Sequence, residues 1–157
     1  MRAEHINPFI ESVYELFRTM LQAKVERGAI GVSSGNHARR DITAIIGISG
    51  PTRGTVAIGF PAATAVGMVG RILGTTVHAV DETISDGVSE IVNMVAGSAK
   101  AKLKTASEKP LDLGLPTVVL GEKYDVQYPS KAVWLEVPFT SDFGEFNLRV
   151  TFETTPQ

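Results

Sequence analysis

Asp86, Glu90, Asn93 and Gly97 follow one another at spacings of four, three and four residues within a strongly patterned stretch of the chain. Their chemistry is complementary. Carboxylates pair with cations, and a carboxamide both donates and accepts hydrogen bonds through one group. At about 100° per residue of α-helix, all four fall in one sector of the helix surface. Ile84, Val88, Ile91, Val95 and Ala99 fall in the opposite sector. The apolar stripe has to be buried, so the two acids, the amide and the glycine gap are presented outward together. This pattern predicts a flat, solvent-facing site for a partner and not a buried pocket.

Gly97 adds weight to the row, because a glycine inside a helix costs about 1 kcal/mol relative to alanine. Such a residue marks a place where another group approaches closely. Gly87, near the helix start, carries the same cost, and the alternative explanation is close packing against a neighbouring strand. The other candidates are weaker. His5, His37 and His78 have no ligand spacing, and no metal site is expected. Ser49 in Gly47-Ile48-Ser49-Gly50 lacks the glycine pattern of a nucleophile elbow and reads as a strand end entering a turn. Gly67, Gly70 and Gly74 do not follow a strand as a phosphate-binding fingerprint would, and read as small residues where a helix packs closely. Trp134, on an expected strand, reads as either core or interface, with core the favoured reading.

The elements that must position the row can be read from periodicity. Asn7 before Pro8 predicts an N-cap and a helix over 8–24, with Ile10, Val13, Phe17, Met20 and Leu21 at helical spacing. A first strand is expected over Val25–Ser34. Ile42–Ile48 and Thr55–Phe60 read as a hairpin. A second helix over Pro61–Leu73 closes at Gly74. Asp81 caps the motif helix, which runs to about Leu103, and a polar stretch with Pro110, Gly114 and Pro116 reads as a mobile loop. Strands over Thr117–Leu120, Ala132–Phe139 and Phe143–Phe152 complete the chain. The order predicts a single α+β domain over 1–157, with helices packed on one antiparallel sheet.

Bulk properties narrow the functional classes. The 157 residues are 43% hydrophobic and 20% charged, with a net charge of −2, which leaves no basic footprint for nucleic acid and no polybasic membrane patch. No cysteine is present, so thiolate metal sites are excluded and a cytoplasmic location is expected. The uncharged run from Gly54 to Gly70 approaches the length of a membrane span. Pro61 divides it, so it reads as a buried strand followed by a core helix. No nucleophile–base pair and no cofactor fingerprint is found.

The string Asp86-x3-Glu90-x2-Asn93-x3-Gly97 resembles the signature of the CheC/CheX/FliY family of chemotaxis phosphatases. The opening Ala3–Glu11 and the strand Ile45-Ile46-Gly47-Ile48-Ser49-Gly50 are similar to CheX members, and the single motif copy agrees. This resemblance implies a CheC-like fold and hydrolysis of the aspartyl phosphate of a CheY-like receiver. It further implies that Asn93 positions the attacking water and that Glu90 pairs with the receiver's lysine. Asp86 and Gly97 would serve partner binding. The protein would need no cofactor of its own, with Mg²⁺ on the receiver, and would form a homodimer. The same fold in the flagellar switch protein FliM leaves a second expectation, a receiver-binding or structural module without turnover.

Overall fold

The computed structural model describes residues 5–33, 41–50, 52–77, 81–103, 111–121 and 133–153. Among the described residues eight strands form one antiparallel sheet, and three α-helices pack on one of its faces. Helix α1 spans Asn7–Leu16, α2 spans Ala62–Leu73 and α3 spans Glu82–Lys102. The strands are β1 (Val25–Arg27), β2 (Gly31–Ser33), β3 (Ile42–Ser49), β4 (Arg53–Phe60), β5 (Asp112–Leu113), β6 (Thr117–Leu120), β7 (Trp134–Ser141) and β8 (Gly144–Glu153). The sheet order is β1-β7-β8-β4-β3-β5, with β2 also paired to β7 and β6 also paired to β3.

The core lies between the helices and the facing side of the sheet. Ile42, Ala44, Ile46 and Ile48 of β3 alternate into it, as do Val56, Ile58 and Phe60 of β4. Leu135, Val137 and Phe139 of β7 and Phe146, Leu148 and Val150 of β8 continue the layer. Phe146 is its aromatic centre, with stacked ring centroids 5.0 Å from Phe139, 5.7 Å from Phe17 and 5.9 Å from Phe60. These offset pairs fix the approach of α1 to the sheet more tightly than aliphatic contacts would.

Several local expectations are corrected. Ile6, not Asn7, is the N-cap of α1, and Pro8 sits within the first turn. The helix does not continue to residue 24. It widens into a π turn over Phe17–Leu21 and ends at Gln22, whose φ of 49° is left-handed. Arg71 of α2 donates from Nη1 to the Leu21 carbonyl at 3.0 Å, satisfying a group the helix end leaves open. Of the expected strand over Val25–Ser34, Ser34 lies outside the described residues, and residues 25–33 hold two short strands. Between them the Gly28 amide bonds the Pro138 carbonyl at 2.7 Å, and a Cβ at Gly28 would lie 2.8 Å from the proline ring. Part of the expected loop after α3 is also ordered: Leu111 is buried, β5 pairs with the end of β3, and the Gly114 amide bonds the Gly47 carbonyl at 2.9 Å. Pro110 lies outside the described residues.

Trp134 is 2% exposed, but on the sheet face away from the helices. There the Arg149 guanidinium lies 4.7 Å from its ring centroid, and Asn147 donates to Glu136 at 2.8 Å. The expectation of a core tryptophan therefore holds for burial but not for the apolar core itself.

Candidate functional site

Helix α3 is held from three sides. Asp81 caps it, its carboxylate accepting from the amides of Thr83 at 2.9 Å and Ile84 at 3.3 Å. Ile84, Val88, Ile91, Val92, Val95, Ala96 and Ala99 are buried against α1, α2 and strands β3, β4 and β6. That stripe is the predicted one, widened by Val92 and Ala96. At Gly87 an added methyl carbon would lie 2.5 Å from a methyl of Val69, so this glycine lets α2 and α3 approach. The close neighbour is a helix and not the strand considered from sequence. α3 is consequently a rigid rod whose rotation about its axis is set by packing.

With the rotation set, the outward row follows. Asp86, Glu90 and Asn93 are exposed and Gly97 is half-buried. Among the described residues, none of the three polar side chains makes a hydrogen bond or an ion pair. Asp86 and Glu90 are four apart, a like-charge spacing that weakens an isolated helix by about 0.2–0.5 kcal/mol. The fold itself does not use these charges.

Gly97 separates clearly from Gly87. Among the described residues, a Cβ built at Gly97 meets no atom beyond its own turn of helix within 4 Å, so no close packing among them requires a glycine there. Its cost to the helix has no internal reason among the described residues. The surface therefore offers a carboxylate, a carboxamide and a gap, all with free hydrogen-bonding capacity. Such a surface can enter another molecule's site but cannot enclose a small substrate.

A tie between α1 and α3 escaped sequence reasoning. Glu15 accepts from Ser98 Oγ at 2.8 Å and from Lys102 Nζ at 2.9 Å, and Lys102 also donates to Ser98 at 2.9 Å. The bond from Lys102, then that from Ser98, holds the Glu15 carboxyl below the ordinary glutamate range. Ser98 and Lys102 are visibly four apart, but the partner 83 residues away from Ser98 leaves no local signal.

Among the described residues no group of three or more His, Cys, Asp or Glu side chains could hold a metal ion. His37 and His78 lie outside those residues, and His5 is exposed, with its ring 6.0 Å from that of Phe152. Among the described residues no helix is long and apolar enough to cross a membrane, and the uncharged run Gly54–Gly70 is divided between β4 and α2. Ser49 closes β3, and Gly50 after it has a φ of 122°, a conformation that favours glycine.

A model of the family "Chemotaxis phosphatase CheX" matches residues 42–140, a span that contains all of α3. A CheY-P phosphatase CheX of Thermotoga maritima is 31% identical, over 98% of this chain and 99% of that protein. A CheC-like superfamily protein from Shewanella sp. PV-4 superposes with a TM-score of 0.86 at 30% identity, covering 98% of this chain and 100% of the other. A CheX from Borrelia burgdorferi, solved in complex with CheY, BeF3 and Mg²⁺, superposes with a TM-score of 0.81, covering 98% and 100% of the two chains. At 21% identity that last likeness is one of fold.

Proposed function

The chain belongs to the CheX family of chemotaxis phosphatases, and on that premise we propose that it hydrolyses the aspartyl phosphate of a CheY-like receiver domain. The observation that carries this reading is the outward, unengaged pair Glu90 and Asn93 on a helix whose rotation is set by the core. An aspartyl phosphate is an activated acyl phosphate. What its hydrolysis lacks is a water held in line with the bond between phosphorus and the aspartyl oxygen. Asn93 enters the receiver's pocket and orients that water through its amide. Attack forms a new P–O bond to the water oxygen as the P–O bond to the aspartyl oxygen breaks; the bonding pair leaves with the receiver's carboxylate, and the water's protons pass to the departing phosphate and solvent. No base is required, because phosphoryl transfer is governed by positioning and electrostatics.

Glu90 pairs with a lysine of the receiver and sets the register of α3 over the phosphate. Asp86, one turn earlier, meets a cation at the rim, where single pairs contribute little. Gly97 gives clearance for the receiver's surface. The Mg²⁺ that neutralises the developing charge belongs to the receiver, and the protein acts in the cytoplasm as one phosphatase unit spanning residues 1–157. We further propose a homodimer. Its support is the open sheet edges, with Val32 of β2 at 74% and Leu120 of β6 at 55% exposure.

The test is loss of label from a phosphorylated CheY-type receiver domain. Added protein accelerates it in proportion to its concentration. Stable binding to the phosphorylated receiver with no acceleration would select the non-catalytic module instead.

A further inference from the structure

The outward row of α3 does not stop at Gly97. Lys100, half-buried, follows three residues on, turned about 20° from Asn93 and lying roughly 10 Å further along the axis. Gly97 stands between them, and its open Cβ position leaves a slot one side chain wide. Lys100 differs from the neighbouring Lys102. Lys102 is engaged by Glu15 and Ser98, whereas Lys100 makes no hydrogen bond or ion pair among the described residues. Along the outward face the charge changes sign: exposed Glu82, Asp86 and Glu90 precede Asn93, and Lys100 lies beyond the slot.

General chemistry indicates what such a cation meets. A receiver that binds Mg²⁺ beside its phosphoaspartate does so through carboxylates, because Mg²⁺ takes hard oxygen ligands. The rim of that pocket is therefore acidic. We propose that Lys100 is a further partner-contact residue, taking a carboxylate on the receiver's pocket rim across the slot at Gly97. It thereby sets the direction in which the receiver lies along α3. This rests on the assignment of Glu90 and Asn93 as receiver-facing, and adds to it a determinant of docking polarity. A lysine that only complemented the helix dipole would affect stability and leave the encounter with the receiver unchanged.

The experiment compares Lys100→Glu, Lys100→Gln and Arg53→Glu with wild type. Arg53 is exposed on β4, on the sheet face away from the helices, so its reversal changes net charge equally without touching α3. Steady-state rates are measured on a radiolabelled, phosphorylated CheY-type receiver at low and at high ionic strength. Lys100→Glu raises KM roughly fivefold at low salt and Lys100→Gln about twofold, with kcat unchanged. High salt removes most of the difference, and Arg53→Glu behaves as wild type. A wild-type KM for Lys100→Glu at low salt, an equal rise in Arg53→Glu, or a fall in kcat alone would overturn the assignment. If wild type is active and Lys100→Glu is unaltered, only Lys100 is misassigned. If wild type does not turn over the receiver, the Glu90 and Asn93 assignment falls, and this inference with it. Lys100→Gln carries the test should the charge reversal fail to fold.

Discussion

Gly97 and Gly87 are ten residues apart in one helix and should respond oppositely to the same change. At Gly97 an added methyl meets no atom of the described residues beyond its own turn of helix within 4 Å, so Gly97→Ala collects the helix-propensity gain without a clash among them. That gain is about 0.5–1 kcal/mol. For a chain of this size it raises Tm by roughly 2–4 °C per kcal/mol. At Gly87 the methyl carbon would sit 2.5 and 2.6 Å from the two Val69 methyl groups, and α2 has to move or Val69 has to leave its rotamer. Overpacking of this kind costs about 1–3 kcal/mol, more than the propensity gain, so Gly87→Ala melts lower than wild type. Activity runs the other way at Gly97. If Gly97 gives the proposed clearance, alanine should intrude slightly on the receiver, and Gly97→Gln, still a good helix former, should fill the slot and raise KM roughly tenfold or more. The assays are thermal unfolding by circular dichroism and receiver dephosphorylation on the same preparations. A Gly97→Gln variant that is both more stable and as active as wild type would refute the clearance role. A Gly97→Ala variant that melts lower would refute the open geometry behind it.

Two further expectations can be measured. The folded-state pKa of Glu15 is depressed by Lys102 and Ser98, so its contribution is present above the ordinary glutamate range and lost as pH falls through the folded value. Glu15→Gln should therefore melt below wild type near neutral pH, and the gap should close as the pH falls below the ordinary glutamate range and through the depressed folded value; a gap that persists once the carboxyl is protonated would exclude the ionised carboxylate as its source. The proposed homodimer should sediment as two chains at micromolar concentration, and a monomer under those conditions would remove the paired-edge arrangement.

The site was legible in the sequence because a helix converts spacing into direction. Once Ile84, Val88, Ile91, Val95 and Ala99 are required inside, the outward placement of Asp86, Glu90 and Asn93 follows, and the structure has it so. The Asp81 cap and the Gly74 terminus were legible for the same reason: their signals are local. What could not be read depended on contacts between distant segments. The π turn over Phe17–Leu21 continues an ordinary helical pattern, and its end is met by Arg71, which lies 50 residues from Leu21. The break between β1 and β2 is imposed by Pro138 on the facing strand. Burial of Trp134, Asn147, Arg149 and Thr151 on the sheet's second face defeats simple alternation, since β8 is buried on both sides. The two glycines of α3 look alike in sequence, and only the position of Val69 tells them apart.

Single-turnover dephosphorylation by Asn93→Ala tests the catalytic assignment most directly. Asn93 is exposed and makes no hydrogen bond among the described residues, so its truncation preserves the fold and, alanine being the better helix former, does not lower the melting temperature. The predicted result is retained binding to the phosphorylated receiver with the rate of label loss reduced by about two orders of magnitude or more, as for loss of a water-positioning group. A variant that binds and dephosphorylates the receiver as fast as wild type would contradict it.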